Sequence, residues 1–370
     1  MNTIDIDRIL SQFEIIGQVQ SVAPLGEGLI NDTYRVATAG DQAPDYVLQR
    51  INNAVFQDVD LLQHNIEVVT AHIRRKLEAA GTDDVGRKVL QLVQARDGKT
   101  YYRDDEGRYW RVTVFIPDSF THQAVTPQSA FDAGKAFGQF EQMLVDVPEQ
   151  LGETIPDFHN MELRMRQLRE AAQRDAVGRL DAVRGIIDEL ERDADWMCQA
   201  ERLYREGKLP KRICHCDTKV NNMLFDSQGR VLCVIDLDTV MPSFIFSDYG
   251  DFLRTGANLT TEDDPDESRV GFNAEIFKSF TTGYLESARS FLTPIEVEHL
   301  PYAVALFPFM QCVRFLADYI NGDTYYKIKH PTHNLDRTRN QLALYRDVRR
   351  HDQMMAAFIH SLLNQTTKTT

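Results

Sequence analysis

The stretch Cys214-His215-Cys216-Asp217-Thr218-Lys219-Val220-Asn221-Asn222, followed by Val234-Ile235-Asp236-Leu237-Asp238, decides how this chain is read. His215, Asp217 and Asn222 fall on the pattern His-x-Asp-x-x-x-x-Asn. In that pattern the Asp accepts the proton of an attacking hydroxyl, and the Asn helps to hold the metal that bridges nucleotide phosphates. Fourteen residues beyond Asn222, the apolar run from Val231 to Ile235 delivers Asp236, which suits a second metal carboxylate. A short hairpin over that spacing brings both ligands to one site. The pattern points to phosphoryl transfer, with Asp217 as base and with Asn222 and Asp236 on Mg²⁺. Lys219, two residues after the base, adds a cation where the charge of a transferring phosphoryl group needs screening. His215 is expected to brace the loop by hydrogen bonds, because Asp217 already fills the proton-accepting role. Cys214 and Cys216 form C-x-C beside a histidine, but Cys198, Cys233 and Cys312 are scattered without ligand spacing, so buried packing is expected of the pair rather than metal binding.

At 370 residues with 43% apolar content the chain can bury a large core, as one large domain or two lobes. Five cysteines at low density, an odd number, point to a reducing compartment, and the cytoplasm is the expected location. Met1 to Gln12 has neither a basic start nor an apolar core, and no run of about 18 consecutive apolar residues occurs, so neither export nor membrane insertion is expected. The formal charge of −14, from 55 acidic against 41 basic residues, opposes binding to a polyphosphate backbone and removes nucleic acid as a partner. It does not oppose ATP, since local cations and Mg²⁺ can reverse the sign within a cleft. The assembly expected is a monomer or homodimer.

Along the chain, short apolar runs at Ile15 to Ala23, Thr33 to Ala37 and Tyr46 to Ile51 predict a small sheet, joined by strands at Lys88 to Ala95 and Trp110 to Ile116. Between the first two runs, Gly26 and Gly28 of Gly26-Glu27-Gly28-Leu29-Ile30-Asn31-Asp32 can bring backbone N–H groups close to phosphate. Leu61 to Leu77 has helical periodicity and carries Glu67. Kinases pair a glutamate on this helix with a lysine on the third strand, but here the strand reads Tyr46-Val47-Leu48-Gln49-Arg50, so Gln49 or Arg50 stands in the lysine's place. The hinge is expected at Pro117-Asp118, where backbone groups meet the adenine. Beyond Gln128 the pattern is helical: Ser129 to Leu144, Glu162 to Ala172, Ala176 to Glu206, Asn273 to Ser287 and Pro301 to Tyr319. The fold class read from this is α+β, with a small antiparallel β lobe over 1–116 and a larger helical lobe over 117–370.

With these residues, and with Asp248-Tyr249-Gly250-Asp251-Phe252-Leu253-Arg254-Thr255-Gly256 and Arg314-Phe315-Leu316-Ala317-Asp318-Tyr319, the chain resembles the aminoglycoside phosphotransferase and choline kinase superfamily, which has a protein-kinase-like two-lobed fold. Within it the likeness is to N-acetylhexosamine 1-kinases. The resemblance implies ATP and Mg²⁺, and a sugar acceptor phosphorylated on its anomeric hydroxyl. The segment from Asp248 to Gly256 has no A-P-E signature of a protein-substrate kinase, which favours a small acceptor. Asp238 shares a face with Asp236 on an extended segment and is a candidate for orienting the acceptor, or for a structural role. Arg314 and Asp318, four apart on a predicted helix, either pair or line the acceptor pocket. Tyr319 to Tyr326 mixes aromatic faces with amides and carboxylates, as a sugar site requires. The alternatives are another small-alcohol acceptor such as an aminoglycoside, a choline-like amino alcohol or homoserine, a nucleotide-binding regulator without catalysis, and a helical interaction protein that binds no nucleotide.

Overall fold

The computed structural model describes residues 5–26, 30–40, 42–122 and 124–365. Compactness divides the chain into two units. The first runs to Thr121 and takes in Met143–Pro156 and Asn222–Met241; the second holds His122–Gln142, Asp157–Asn221 and the chain from Pro242 onward.

The first unit is built on an antiparallel sheet of β1 (Gln18–Pro24), β2 (Asp32–Ala39), β3 (Tyr46–Ile51), β4 (Leu92–Val93), β5 (Tyr102–Arg103) and β6 (Tyr109–Val114), in the order β1-β2-β3-β6-β4 with β5 on β6. Side chains alternate along a strand. Tyr46 and Leu48 of β3 and Trp110 and Val112 of β6 therefore share one face, where they pack with Ile9, Leu10 and Phe13. The helix Val59–Ala79 starts where the Asp58 carboxylate accepts the Leu61 N–H, and it buries Leu62, Ile66, Val69 and Ile73 at helical spacing. Of the expected strand from Lys88 to Ala95, only Leu92–Val93 forms, and its first residue, Lys88, belongs to the short helical turn Val85–Lys88.

The division between units differs from a break at Ile116. The hairpin of β8 (Met223–Phe225) and β9 (Val231–Val234) belongs with the sheet unit. Its Phe225 exchanges both backbone hydrogen bonds with Phe120, at 3.1 and 2.9 Å, and the two rings stack 6.2 Å apart. At the expected hinge, the Pro117 and Asp118 carbonyls both accept from Arg87, at 3.0 and 3.1 Å.

The second unit is helical around Leu300–Asn321, which packs against Met161–Arg174, Phe246–Gly256 and His333–Arg350. This helix is apolar enough to cross a membrane, but 83% of its most apolar window is buried inside the protein, as in the central helix of a globular core. The helices Pro127–Leu144 and Ala274–Ala288 touch through glycine: a Cβ on Gly134 would stand 2.1 Å from the Phe280 carbonyl oxygen, and one on Gly283 would stand 2.0 Å from that of Phe131. The single helix expected over 176–206 is broken into Arg184–Met197 and Gln199–Arg205, with a 3₁₀ turn before them. An αL residue at Asp175 and a positive φ at Gly178 turn the chain just ahead of that turn.

Candidate active site

In the second unit, β7 (Arg212–Cys214) leads into the loop that carries Asp217. Asp248, in the first turn of the helix Phe246–Gly256, holds this loop from beneath. Its two carboxylate oxygens accept the His215 and Cys216 N–H groups at 2.8 and 2.7 Å, and its carbonyl accepts the Thr218 hydroxyl at 2.7 Å. Cys216 has φ +63°, a conformation that a non-glycine residue keeps only when its surroundings impose it. The Asp217 N–H donates to His215 Nδ1 at 3.3 Å, so His215 braces the loop from within while its ring lies buried between Phe137 and Phe140.

Lys219 Nζ stands 2.6 Å from Asp217 Oδ1. Burial pushes the Asp217 carboxyl up, but Lys219, His215 and Arg254 together outweigh it and hold the group below the usual carboxylate range. Burial pushes Lys219 down and the Arg254 charge adds to that, but Asp217 and Asp251 outweigh both and raise it. Behind this pair, Arg254 bridges Asp251 at 2.9 Å and Glu262 at 2.7 Å. Burial raises Asp251, the nearby Asp217 charge adds to that, and Arg254 opposes both. The loop therefore presents an ionised carboxylate with an ammonium beside it.

In the first unit, the hairpin expected from the spacing is present, with Met223 opposite Val234 and Leu224 opposite Cys233. The Ile235 N–H donates to the Asn222 carbonyl at 2.9 Å, so Asn222 and Asp236 flank the same end of the ribbon. Asp236 is exposed and sits at φ +59°, ψ +57°, just before the 3₁₀ turn Leu237–Thr239. An amide oxygen and a carboxylate are hard donors, and this pair fits Mg²⁺ by its chemistry. Asp238, considered for acceptor contact, is buried and engaged internally: Asn31 donates to Oδ2 at 2.6 Å, and Arg111 ion-pairs with Oδ1.

The nucleotide candidates separate. Gly26 has φ +72°, and a Cβ there would meet nothing within 4 Å among the described residues; Gly28 lies outside them. Gln49 faces Thr33 and Arg111 across the sheet and accepts the Arg111 Nε–H at 2.9 Å. Arg50, one residue on, pairs with Asp32 on β2. Glu67, expected opposite a strand cation, takes the Thr100 hydroxyl instead, because β3 offers no lysine to meet it.

Of the two expectations for Arg314 and Asp318, pairing or lining an acceptor pocket, the pair is not formed and each side chain has its own partners. Asp318 is buried and accepts the Thr324, Tyr325 and Tyr326 N–H groups at 2.9, 2.9 and 3.0 Å, together with the Asn334 amide at 2.9 Å. It is the knot of the turn that follows the central helix. Arg314 donates to Gln311 at 2.8 Å and lies over the Phe158 and Tyr326 rings, 5.5 and 5.7 Å from their centroids. Arg164 and His159 lie within its field. Burial, followed by the Arg314 charge, lowers Arg164 to about 10, and burial with Arg314, Arg164 and Arg254 drives His159 well below the usual histidine range. Arg111, Arg164 and His159 were not singled out from the sequence, and Asp248 stood there only as the first residue of the stretch from Asp248 to Gly256, with no role of its own. The local sign for Arg111 is a charge between Trp110 and Val112 in an apolar strand, whereas nothing local marks Arg164 or His159.

Solved structures share this fold. An aminoglycoside phosphotransferase from Alicyclobacillus acidocaldarius aligns at TM-score 0.60 and 15% identity, over 100% of this chain and 98% of that one. Spectinomycin phosphotransferase in complex with ADP and spectinomycin aligns at 0.57 and 11%, over 94% and 97%. Choline kinase LicA from Streptococcus pneumoniae aligns at 0.50 and 16%, over 93% and 97%. At the level of sequence, residues 21–286 match the family model described as the phosphotransferase enzyme family. That match spans well over half of the chain, which belongs to this family of enzymes.

Proposed function

We propose that the protein is a small-molecule kinase that moves the γ-phosphate of ATP to a hydroxyl of a sugar, with the anomeric hydroxyl of an N-acetylhexosamine as first choice. The observation that carries this reading is the Asp217–Lys219 pair at 2.6 Å on a loop whose backbone Asp248 holds. Asp217 takes the hydroxyl proton as the acceptor oxygen bonds to phosphorus and the bond to the β-phosphate oxygen breaks, releasing ADP. A carboxylate held below its usual range is ionised at neutral pH and accepts a proton late, which suits a loose transition state. Lys219 screens the charge on the moving group. Asn222 and Asp236 would hold Mg²⁺, which neutralises phosphate charge when bound.

The acceptor class rests on charge. Burial and then the Arg314 charge lower Arg164, and burial followed by Arg314 and Arg164 lowers His159, so a further cation is disfavoured beside this cluster of guanidinium groups. It lies beside Tyr325 and Tyr326, whose rings are 4.8 Å apart and suit the apolar faces of a neutral sugar. The names of similar proteins favour a second reading, a cationic acceptor such as choline, spectinomycin or another aminoglycoside. A coupled ADP-release assay over a panel of N-acetylhexosamines, other sugars, aminoglycosides and amino alcohols separates the two. Turnover with choline or an aminoglycoside and with no sugar would overturn the sugar assignment.

A further inference from the structure

In kinases a strand lysine and a helix glutamate form the charged tie that the active arrangement needs. Here that tie is not made: β3 reads Tyr46-Val47-Leu48-Gln49-Arg50-Ile51, with no lysine, and the helix Glu67 accepts the Thr100 hydroxyl instead. A buried charged tie nevertheless exists one strand away. Arg111 is directly across from Gln49 in the β3–β6 register. Its Nε–H donates to Gln49 Oε1 at 2.9 Å and its Nη1 ion-pairs with Asp238, the two paired side chains being 5% and 3% exposed. Gln49 is steadied by its amide N–H on the Thr33 hydroxyl at 3.3 Å.

The other end of the tie is equally constrained. Asp238 receives Asn31 on its second oxygen at 2.6 Å, and its carbonyl accepts the Thr154 hydroxyl at 3.0 Å. Asn31 in turn accepts the Asn52 N–H at 2.9 Å. A buried ion pair repays its desolvation only when further hydrogen bonds complete it, and its best-attested use is to fix one arrangement rather than to add stability. Here it fixes the 3₁₀ turn Leu237–Thr239, whose preceding residue is the left-handed, exposed Asp236. That conformation persists where surrounding contacts over-determine it.

We propose that Arg111 is the positioning residue of the metal turn: through Asp238 it holds the Asp236 carboxylate where Mg²⁺ and nucleotide phosphates need it, in place of the absent lysine–glutamate tie. This rests on the kinase reading above. Arg111 acts through Asp238 and Gln49, so its loss should change metal-dependent binding more than nucleotide binding itself.

Isothermal titration of ADP with and without Mg²⁺, together with hydrogen exchange at amides 235–241 in the nucleotide-free protein, tests it on the wild type, Arg111→Gln, Arg111→Lys and Arg111→Gln/Asp238→Asn, each checked for folding by circular dichroism. Arg111→Gln should weaken Mg·ADP about ten- to hundred-fold, the usual cost of losing a residue that orients a metal ligand, leave metal-free ADP within about two-fold, and speed exchange at the turn. Removing Asp238's charge as well should cost nothing further. If Arg111→Gln does not fold, Arg111→Lys carries the test: it keeps the charge but cannot reach both Gln49 and Asp238, and the same split is expected at smaller size. Unchanged Mg·ADP affinity with unchanged exchange overturns the proposal, and so does an equal loss of metal-free ADP, which would make Arg111 a phosphate ligand. If the wild type binds ADP in neither form, the kinase reading falls, and the exchange comparison still decides whether Arg111 holds the turn.

Discussion

Gln49 and Arg50 are neighbours on one strand and point to opposite faces of the sheet: Gln49 receives the Arg111 Nε–H at 2.9 Å, whereas Arg50 ion-pairs with Asp32. Only Gln49 shares a face with Arg111 and, through it, with the turn after Asp236. Gln49→Ala is expected to raise the KM for ATP several-fold and to lower kcat, while Arg50→Ala stays within about two-fold on both. Steady-state kinetics over a range of ATP concentrations decide it, and the reverse order would move the phosphate-facing side to Arg50.

Replacing the proposed base while keeping its shape isolates the proton-accepting role assigned to it. Asp217→Asn should bind ATP as the wild type does and turn over roughly 10²–10⁴-fold more slowly, the usual span for loss of general base catalysis. Near-normal turnover in this variant would take the base role away from Asp217.

The two residues at the open end of the β8–β9 ribbon should fail differently. Asp236→Ala removes a charged ligand and should abolish turnover at every Mg²⁺ concentration, whereas Asn222→Ala removes a neutral one and should recover in part with excess Mg²⁺. Activity in either variant without a divalent ion would refute the pairing.

Asp318 anchors three successive N–H groups of the turn that carries Tyr326 over Arg314. Asp318→Ala should lower stability by roughly 1–3 kcal/mol, because three half-buried N–H groups and the buried Asn334 amide lose their acceptor. At temperatures where the variant stays folded, the KM for the acceptor should rise while the KM for ATP holds. An equal rise in both would show that Asp318 has no particular link to the acceptor side.

Glu201 supplies a pH test of stability. It is buried and accepts the Met161 N–H at 2.6 Å; burial lifts its carboxyl from an ordinary 4.5 to about 7, against that hydrogen bond. The folded state thus holds this proton more tightly than the unfolded state does. The corresponding stability is complete below about pH 4.5 and is lost as the pH climbs toward 7. Glu201→Gln keeps the acceptor oxygen and never ionises, so above pH 7 it should exceed the wild type by roughly 1–3 kcal/mol, with little difference at pH 4.5. Denaturant unfolding across that range measures the gap, and parallel curves would refute it.

The loop that carries Asp217 and the hairpin that follows it were legible because they are written in local spacing: five residues from Asp217 to Asn222, and fourteen more to Asp236. The small antiparallel sheet and the main helices followed from periodicity for the same reason. What was not legible depends on partners far along the chain. The contact between Asp248 and the loop joins residues more than thirty positions apart, and Arg111 meets Asp238 across more than a hundred, so no local pattern announces either. Arg314 and Asp318 stand at a spacing that permits a helical pair, yet the turn beyond the helix offers Asp318 three N–H groups, and these win over one guanidinium. The broken helix over 176–206 was hidden because its apolar periodicity continues across the break at Cys198.

Cys214 and Cys216, on either side of His215, are almost wholly buried, and burial pushes both thiols well above their ordinary range, with the Asp248 carboxylate adding to it. A sulfhydryl in that state is neither reachable nor ionised, so alkylating reagents and peroxide should spare it while the loop is closed. The loop thereby carries its own reporter. The rate at which iodoacetamide marks the peptide containing Cys214 and Cys216 counts how often the segment opens, and a nucleotide or acceptor that closes it further should slow the labelling even where no product forms.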